Sequence, residues 1–430
     1  MSDDNLKIGL LGLGTVGRGV YRIITGNSES IKRKIGAGIE VKRILVRDTA
    51  KDRGLDLNPA VFTTNPEDII SDPEIRIVVE VMGGLEPTLD YVVRALKNGK
   101  SVVTANKDMI ASHGKMLFEI AEANNADLLF EASVAGGIPI IRPLKQCLAG
   151  NRLSQIIGIV NGTTNYMLTK MTREGSDFNE ALQEAQSLGY AEADPTADIG
   201  GFDAARKLAI LASIAFNSRV LPDDIYVEGI TKITAADIAY ASELNYIVKL
   251  LAIAKETEAG IEARVHPSLI PLDHPLAAVN DVYNAIYVSG DAVGDTMFYG
   301  RGAGEMPTAS AVTADIMDAA RDLLRNVQGI ISCTCFEEKP VKSMQEVACK
   351  YYVRLQVADK PGVLASIAYA FGDKDVSLAS VLQKQTDLAT AEIVVVTHTV
   401  REGNMQDALK IINHLSSVSA VSNVIRVEGE

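Results

Sequence analysis

Cysteine is scarce in this 430-residue chain: four occur, at positions 147, 333, 335 and 349. They form no C-x-x-C pair and match no histidine spacing, which excludes a disulfide framework and the usual zinc patterns and leaves free thiols as the expectation. Basic charge is short as well, with 42 Lys and Arg against 55 Asp and Glu and a net charge of −13. Without a basic excess or a Lys/Arg stripe there is nothing to neutralise phosphates, so a nucleic-acid partner is not expected. Apolar runs long enough to span a bilayer are missing, so no membrane partner is expected either. The opening MSDDN leads into the strand-like LKIGLLGLG without a signal pattern, and the expected compartment is the cytoplasm. No tandem repeat or low-complexity tract occurs. What remains is an ordinary globular composition, 47% apolar and 23% charged, in a length that suits about two to four domains.

From residue 6 to about 140, apolar runs of strand length alternate with helical periodicity, which predicts an α/β unit with a parallel sheet. Residues 1–140 are therefore expected to form a Rossmann-like dinucleotide-binding domain. Residues 141–330 mix long helices with alternating strands and read as an α+β substrate and dimerisation domain. SCTCFEEKPVKSMQEVACK has little periodicity, so 331–349 is expected to be a linker. Beyond it the order β-α-β-β-α-β predicts a ferredoxin-like unit over 350–430.

Gly12, Gly14 and Gly17 form G-x-G-x-x-G between a strand and a helix. The glycines allow a tight turn and close approach to a pyrophosphate, and the helix N-terminus adds unpaired N–H groups and a positive dipole end. The acidic residue usual about 20 positions later is absent. The second strand ends instead in Arg47 and Asp48. Arg47 suits a 2′-phosphate and Asp48 a free ribose hydroxyl, so NADP and NAD both stay open, with the arginine favouring NADP. TANK ends a strand at the carboxyl edge of the sheet and puts Lys107 toward the nicotinamide end, unless it is simply a solvated lysine. In EASVAGGIP, Glu131 and neighbouring carbonyls suit a hard cation, and a glycine turn with a buried glutamate explains them equally well.

The most charged motif is YAEADPTADIGGFDAARK, residues 190–207. Pro195 and the glycine pair interrupt any helix, so Glu192, Asp194 and Asp198 are expected on a loop feeding a helix that starts near Gly201. Asp203 then falls in the first turn, and Lys207 lies one turn later on the same face. As a surface ion pair this would contribute only about 0.2–0.5 kcal/mol. The buried run LAILASIAF and the nearby VNGTTNY turn argue for more: clustered carboxylates suit the ammonium of a small zwitterion.

SLGYAEADPTADIGGFDAARK, together with GLGTVG, TANK, EASVAGGIP, NGTTNY and YGRGAGEMPTAS, resembles homoserine dehydrogenase, in matching order over residues 6–325. The tail VADKPGVLASIAYAFGDKDVSLASV resembles an ACT domain, an amino-acid-sensing module. The resemblance implies reversible NAD(P)H-dependent reduction of L-aspartate 4-semialdehyde to L-homoserine, a step toward threonine, methionine and isoleucine. It implies Lys207 as proton donor and Lys107 as the lysine of the cofactor and active-site edge. Glu192, Asp198 and Asp203 match substrate-binding carboxylates, with Asp203 beside the catalytic lysines. Leu13, Thr15 and Val16 join the three glycines as cofactor contacts, and Gly189 and Gly304 match glycines that close over the dinucleotide. Glu131, Val134, Gly136 and Ile138 match a sodium site. A homodimer or homotetramer, and feedback inhibition by L-threonine through the ACT domain, are further implications. In the tail, Pro361 and Gly362 open a helix whose N–H groups suit a carboxylate, and DVSLAS stands where the family often has an Asn, so a tail that only dimerises stays open. Two other readings are a phosphorylating semialdehyde dehydrogenase, which needs a thiolate that Cys147 supplies without any evident histidine, and a non-catalytic sensor.

Overall fold

A computed structural model describes residues 5–385 and 389–429. Its contacts separate two compact units: 1–153, 206–222 and 289–338 in the first, and 154–205, 223–288 and 339–430 in the second. This division cuts across the expected sequence domains, because the chain leaves and re-enters the first unit twice.

The first unit is built on a six-stranded parallel sheet in the order β3-β2-β1-β4-β5-β6. Its strands are β1 (Leu6–Leu11), β2 (Ile39–Leu45), β3 (Phe62–Thr63), β4 (Ile75–Glu80), β5 (Ser101–Thr104) and β6 (Leu128–Leu129). Sequence IRIVVE in β4 is buried at all but one position, as expected for a central parallel strand covered on both faces. Ile8, Leu10, Ile77 and Val79 pack with Val20 of the Thr15–Gly26 helix and with Val312 and Ile316 of the Glu305–Arg325 helix. Each such side chain stabilises the fold by about 1.5–3 kcal/mol, and Ile77→Ala would cost about 2–5. The two helices meet closely: a Cβ at Gly19 would lie 2.7 Å from that of Ala309.

The second unit carries β7 (Leu153–Ile159), β8 (Tyr226–Val227), β9 (Tyr246–Thr257), β10 (Gly260–Pro271) and β11 (Tyr283–Gly290). The hairpin strand β12 (Gly294–Arg301) falls in the first unit. Further along the second unit come β13 (Ala348–Ala358), β14 (Leu378–Gln385), β15 (Thr390–Thr397), β16 (Val400–Arg401) and β17 (Val418–Val427). Neighbouring strands run β11-β7-β9-β10-β17-β13-β15-β14. The last four, with helices Val363–Gly372 and Glu402–Asn413, form the expected β-α-β-β-α-β module. Its sheet is continuous with the rest of the unit, because Ser268 and Leu269 of β10 pair in parallel with Arg426 and Val427 of β17.

Charges seal that junction. Arg264, only 1% exposed, donates to Glu428 at 2.6 Å and to Glu262 at 2.8 Å, and Lys255 reaches Glu428 at 2.9 Å. Alongside, Arg426 pairs with Glu402 and Glu228. The expected linker is less empty than its composition suggests: Glu337 bridges to Ser218, Val341 bridges to Ile261, and β13 starts at Ala348.

Candidate active site

β1 ends at Leu11, and the chain turns at Gly12 with φ 104°, a conformation that favours glycine. A Cβ at Gly17 would lie 2.5 Å from the Gly12 carbonyl oxygen, so the third glycine lets the helix pack onto the turn. Nothing stands within 4 Å of a Cβ built at Gly14, which precedes the Thr15–Gly26 helix and gives it no side-chain cap. The helix N–H groups and the space before them make a cradle for a pyrophosphate.

That cradle opens into a cavity of about 820 Å³ lined by Gly12, Leu13, Gly14, Thr15 and Arg18, and at its far end by Arg47, Asp48, Lys51 and Arg53. Asp48 accepts from the Ala50 N–H at 2.8 Å, while Arg53 donates to the Lys51 and Asp48 carbonyls. Asp52 also lines the cavity and accepts from the Gly54 N–H at 2.9 Å, so each carboxylate has one oxygen engaged in its own turn while three cations line the cavity beside them. These residues fit a dinucleotide. Of the other expected contacts, Val16 packs into the sheet core and Gly17 into the turn. Gly304, with φ 129°, caps the Glu305–Arg325 helix, and neither it nor Lys107 lines the cavity. Gly189, in the second unit, follows the Phe178–Ser187 helix in left-handed backbone at φ 73°.

At the carboxyl edge of β4 and β5 stands a group the sequence reading passed over. Glu80, fully buried, accepts from Thr104 at 2.5 Å and from the Met82 and Gly83 N–H groups at 2.8 and 3.1 Å. Burial raises its pKa despite these bonds. Asn106 caps the Lys107–Ala123 helix by accepting from Met109 and donates to the Gly84 carbonyl at 2.7 Å. The network fixes where Lys107 leaves the sheet. The signal available was an acid closing the apolar run Ile77–Val79 of β4. Next to Lys107, Asp108 pairs with Arg206 at 3.0 Å, so the neighbours of Lys107 and Lys207 are fastened to each other.

The acidic stretch also acquires a centre that the motif did not reveal. Asn161 caps the Gly162–Glu174 helix by accepting from the Thr164 N–H, and its amide donates to Asp198 at 2.6 Å and Asp203 at 2.9 Å. One side chain thereby holds two carboxylates together. Asp198 lies on a single helical turn, Thr196–Ile199, rather than on an open loop, because Pro195 precedes that turn where its missing N–H costs nothing. Asp194 is turned to Thr196, accepting from its N–H and hydroxyl, and Glu192 is exposed. Asp203 is buried in the first turn of the Phe202–Ala215 helix, with Lys207 four residues on. The division between units falls within this helix, between Ala205 and Arg206.

In EASVAGGIP the glutamate is buried in a glycine-containing turn, one of the two uses its sequence allows. Both oxygens of Glu131 accept backbone N–H groups, from Ile140 at 2.6 Å, Ile141 at 2.7 Å and Arg142 at 2.8 Å. Glu131 thus caps the following helical turn, and its own N–H donates to Asp315. Burial, reinforced by Glu131, pushes Asp315 up to about 8. A Cβ at Gly136 would lie 2.4 Å from the Gly302 carbonyl, so that glycine serves a close backbone crossing. Val134 and Ile138 are buried beside it, and among the described residues no group of three or more His, Cys, Asp or Glu side chains could hold a metal ion.

A dinucleotide cradle on a parallel α/β sheet, joined to a carboxylate-bearing α+β unit, defines an NAD(P)-dependent oxidoreductase. Family models for the homoserine dehydrogenase NAD-binding domain, homoserine dehydrogenase and the ACT domain match residues 12–131, 139–317 and 351–415. The homoserine dehydrogenase of Synechocystis is 48% identical over 98% of this chain and 99% of its own, and that of Bacillus subtilis 45% identical over 99% and 98%. A solved homoserine dehydrogenase from Thiobacillus denitrificans superposes with a TM-score of 0.94, at 44% identity over 99% and 98% of the two chains. A hyperthermophilic archaeal homoserine dehydrogenase solved with NADPH matches 74% of this chain and 98% of its own, at 32% identity and a TM-score of 0.63. The chain belongs to the homoserine dehydrogenase family, and its activity is the NAD(P)-dependent interconversion of L-homoserine and L-aspartate 4-semialdehyde.

Proposed function

We propose that this homoserine dehydrogenase works with NADPH in preference to NADH, with Lys207 as proton donor and Asp198, Asp203 and Glu192 as the seat of the substrate ammonium. A bound nicotinamide supplies the hydride. The chain's own task is then to hold the aldehyde and to neutralise its oxygen. As negative charge gathers there, the Lys207 ammonium stabilises it and gives up a proton, and the alcohol results. The carboxylates hold the ammonium of the substrate through charge-assisted hydrogen bonds. Lys107 adds a second cation. The observation that carries this reading is the Asn161 amide shared between Asp198 and Asp203, because it positions two carboxylates together at the start of the helix that bears Lys207. Arg47, Lys51 and Arg53 around the far end of the cavity support a 2′-phosphate.

The test is oxidation of NADPH and of NADH with aspartate semialdehyde, followed by absorbance. Lys207→Ala is expected to lower turnover by about 10²–10⁴-fold with cofactor binding retained. Near-normal turnover in that variant removes Lys207 from the role.

The ACT module is proposed to bind L-threonine at the N-terminus of the Val363–Gly372 helix, which starts after left-handed Gly362 and has no side-chain cap. Leu364 and Tyr369, 39% and 76% exposed on that helix, support pairing of modules in a homodimer or homotetramer. Threonine at millimolar concentration should inhibit the intact enzyme and bind it calorimetrically. Neither response would leave the module a pairing device only. Among the described residues no helix is long and apolar enough to cross a membrane, and the cytoplasm is the proposed compartment.

A further inference from the structure

The cysteines that the sequence left as plain free thiols are not equivalent. Cys333 and Cys335 sit partly exposed in the first unit, where Arg219 Nη2 lies 3.2 Å from the Cys333 sulfur. Lys145 shares the same small cavity, of about 20 Å³, with its ammonium 4.7 Å from the centre of the Phe118 ring and 3.0 Å from the Ser332 carbonyl. No carboxylate lines that cavity. Two cations, no anion and two sulfurs therefore meet in one place. Cys335, two residues on, lines the same cavity, and its thiol donates to the Ser213 carbonyl at 3.5 Å. The neighbouring Cys335 thiol and N–H, with the Arg219 and Lys145 charges behind them, hold Cys333 well below the usual thiol range, while Cys335 is pushed up. Burial lowers Lys145 to about 8. Two polar atoms at the site, Arg219 Nε and the Thr334 hydroxyl, are buried without a hydrogen-bond partner among the described residues. An unsatisfied donor in a space that admits about one water-sized guest points to a small polar visitor.

We propose that Cys333 and Cys335 form a peroxide-sensitive dithiol, in which Cys333 is the attacking thiolate, Arg219 and Thr334 hold the peroxide, and Cys335 resolves the product as an intrachain disulfide. In the first step the Cys333 sulfur attacks one peroxide oxygen. An S–O bond forms, the O–O bond breaks, and the departing hydroxide takes up a proton to leave as water. Arg219 stabilises the charge on that leaving oxygen. In the second step the Cys335 sulfur attacks the Cys333 sulfenic acid: the S–S bond forms, the S–O bond breaks, and the hydroxyl leaves as water with the Cys335 proton. The sulfur pair loses two electrons and hydrogen peroxide gains them. Because the two cysteines are two residues apart and line one cavity of about 20 Å³, closure needs only local movement.

The experiment treats the full chain with about one equivalent of hydrogen peroxide, then quantifies each cysteine by alkylation and peptide mass spectrometry. Cys147, exposed, and Cys349, buried, serve as internal controls in the same sample. The expected result is a 333–335 peptide lighter by two hydrogens and restored by dithiothreitol, while Cys147 remains alkylatable. Cys335→Ser should stop at a dimedone-reactive Cys333, and Cys333→Ser should leave Cys335 reduced. Arg219→Leu should slow the reaction about tenfold, the equivalent of about 1.4 kcal/mol. Oxidation of Cys147 as fast as Cys333 in the unmodified chain overturns the proposal, and so does unchanged reactivity of Cys335 in Cys333→Ser. The first comparison needs no variant, so a folding defect in any substitution does not shelter the idea.

Discussion

Replacing Glu428 by Gln removes one charge from the junction of β10 and β17 while keeping the shape of the side chain. In the folded chain Arg264 and Lys255, acting against burial, hold Glu428 down at about 2 from an ordinary 4.5. At about 1.4 kcal/mol per unit, that difference corresponds to about 3 kcal/mol of stability. Losing one partner of a buried pair costs about 3–5 kcal/mol, since Arg264 then keeps only Glu262. The sign follows from a depressed carboxyl. Its contribution is complete above the unfolded value of 4.5 and is lost as pH falls from there toward about 2. Burial also lowers His266, with the same sign, so the two chains are compared at each pH rather than along one curve. Because the chain has two compact units, a single unfolding curve is not assumed to be two-state. Hydrogen exchange at the amides of β10 and β17, read by mass spectrometry, isolates the junction. Near neutral pH the variant should exchange there with an opening free energy lower by about 3 kcal/mol, and the gap should narrow below about pH 4. A gap under about 0.5 kcal/mol at neutral pH, or one that does not narrow with acid, refutes the reasoning.

Gly17→Ala should abolish NADPH binding and lower stability, measurable by fluorescence titration and thermal melting, because its Cβ meets the Gly12 carbonyl at 2.5 Å. Asn161→Leu should raise KM for the amino-acid substrate by about tenfold or more, as Asp198 and Asp203 lose their shared donor; an unchanged KM would detach the two carboxylates from substrate binding. Arg47→Ala should reduce kcat/KM with NADPH about tenfold more than with NADH, and equal losses would remove Arg47 from the choice of cofactor. Glu131→Ala should cost about 1–3 kcal/mol in denaturant titrations, as two buried N–H groups and a half-buried one lose their acceptor.

Local chemistry was legible in the sequence, and distant pairing was not. GLGTVG announced its turn because glycine spacing and flanking apolar runs are short-range facts, and the break at Gly201 fixed the start of the Phe202–Ala215 helix for the same reason. The tail declared its βαββαβ order through periodicity alone. The VNGTTNY turn was placed near the acids, but not that its Asn161 donates to Asp198 and Asp203, 37 and 42 positions away, nor that Glu131 meets Asp315 at 184. The carboxylate of Glu131 reads identically whether it binds a cation or caps a helix, and that Ile140, Ile141 and Arg142 donate to it is visible only in the fold. No cysteine or histidine spacing marks Cys333, whose neighbours Lys145 and Arg219 arrive from other segments.

The composition of the first unit has a consequence for the order in which the protein takes shape. Val312, Ile316, Ala319 and Ala320 belong to the same buried cluster as Ile8, Leu10 and Val20. A ribosome that has delivered all six strands of the parallel sheet, ending at Leu129, has not yet supplied the helix that covers them. At about 5–20 residues per second, the interval until Arg325 emerges is on the order of ten seconds or more. Through that interval the nascent sheet presents an apolar face without its native cover. Chaperone capture should therefore concentrate on chains stalled between Leu129 and Arg325, and fragments ending near residue 140 should be insoluble however complete their glycine motif.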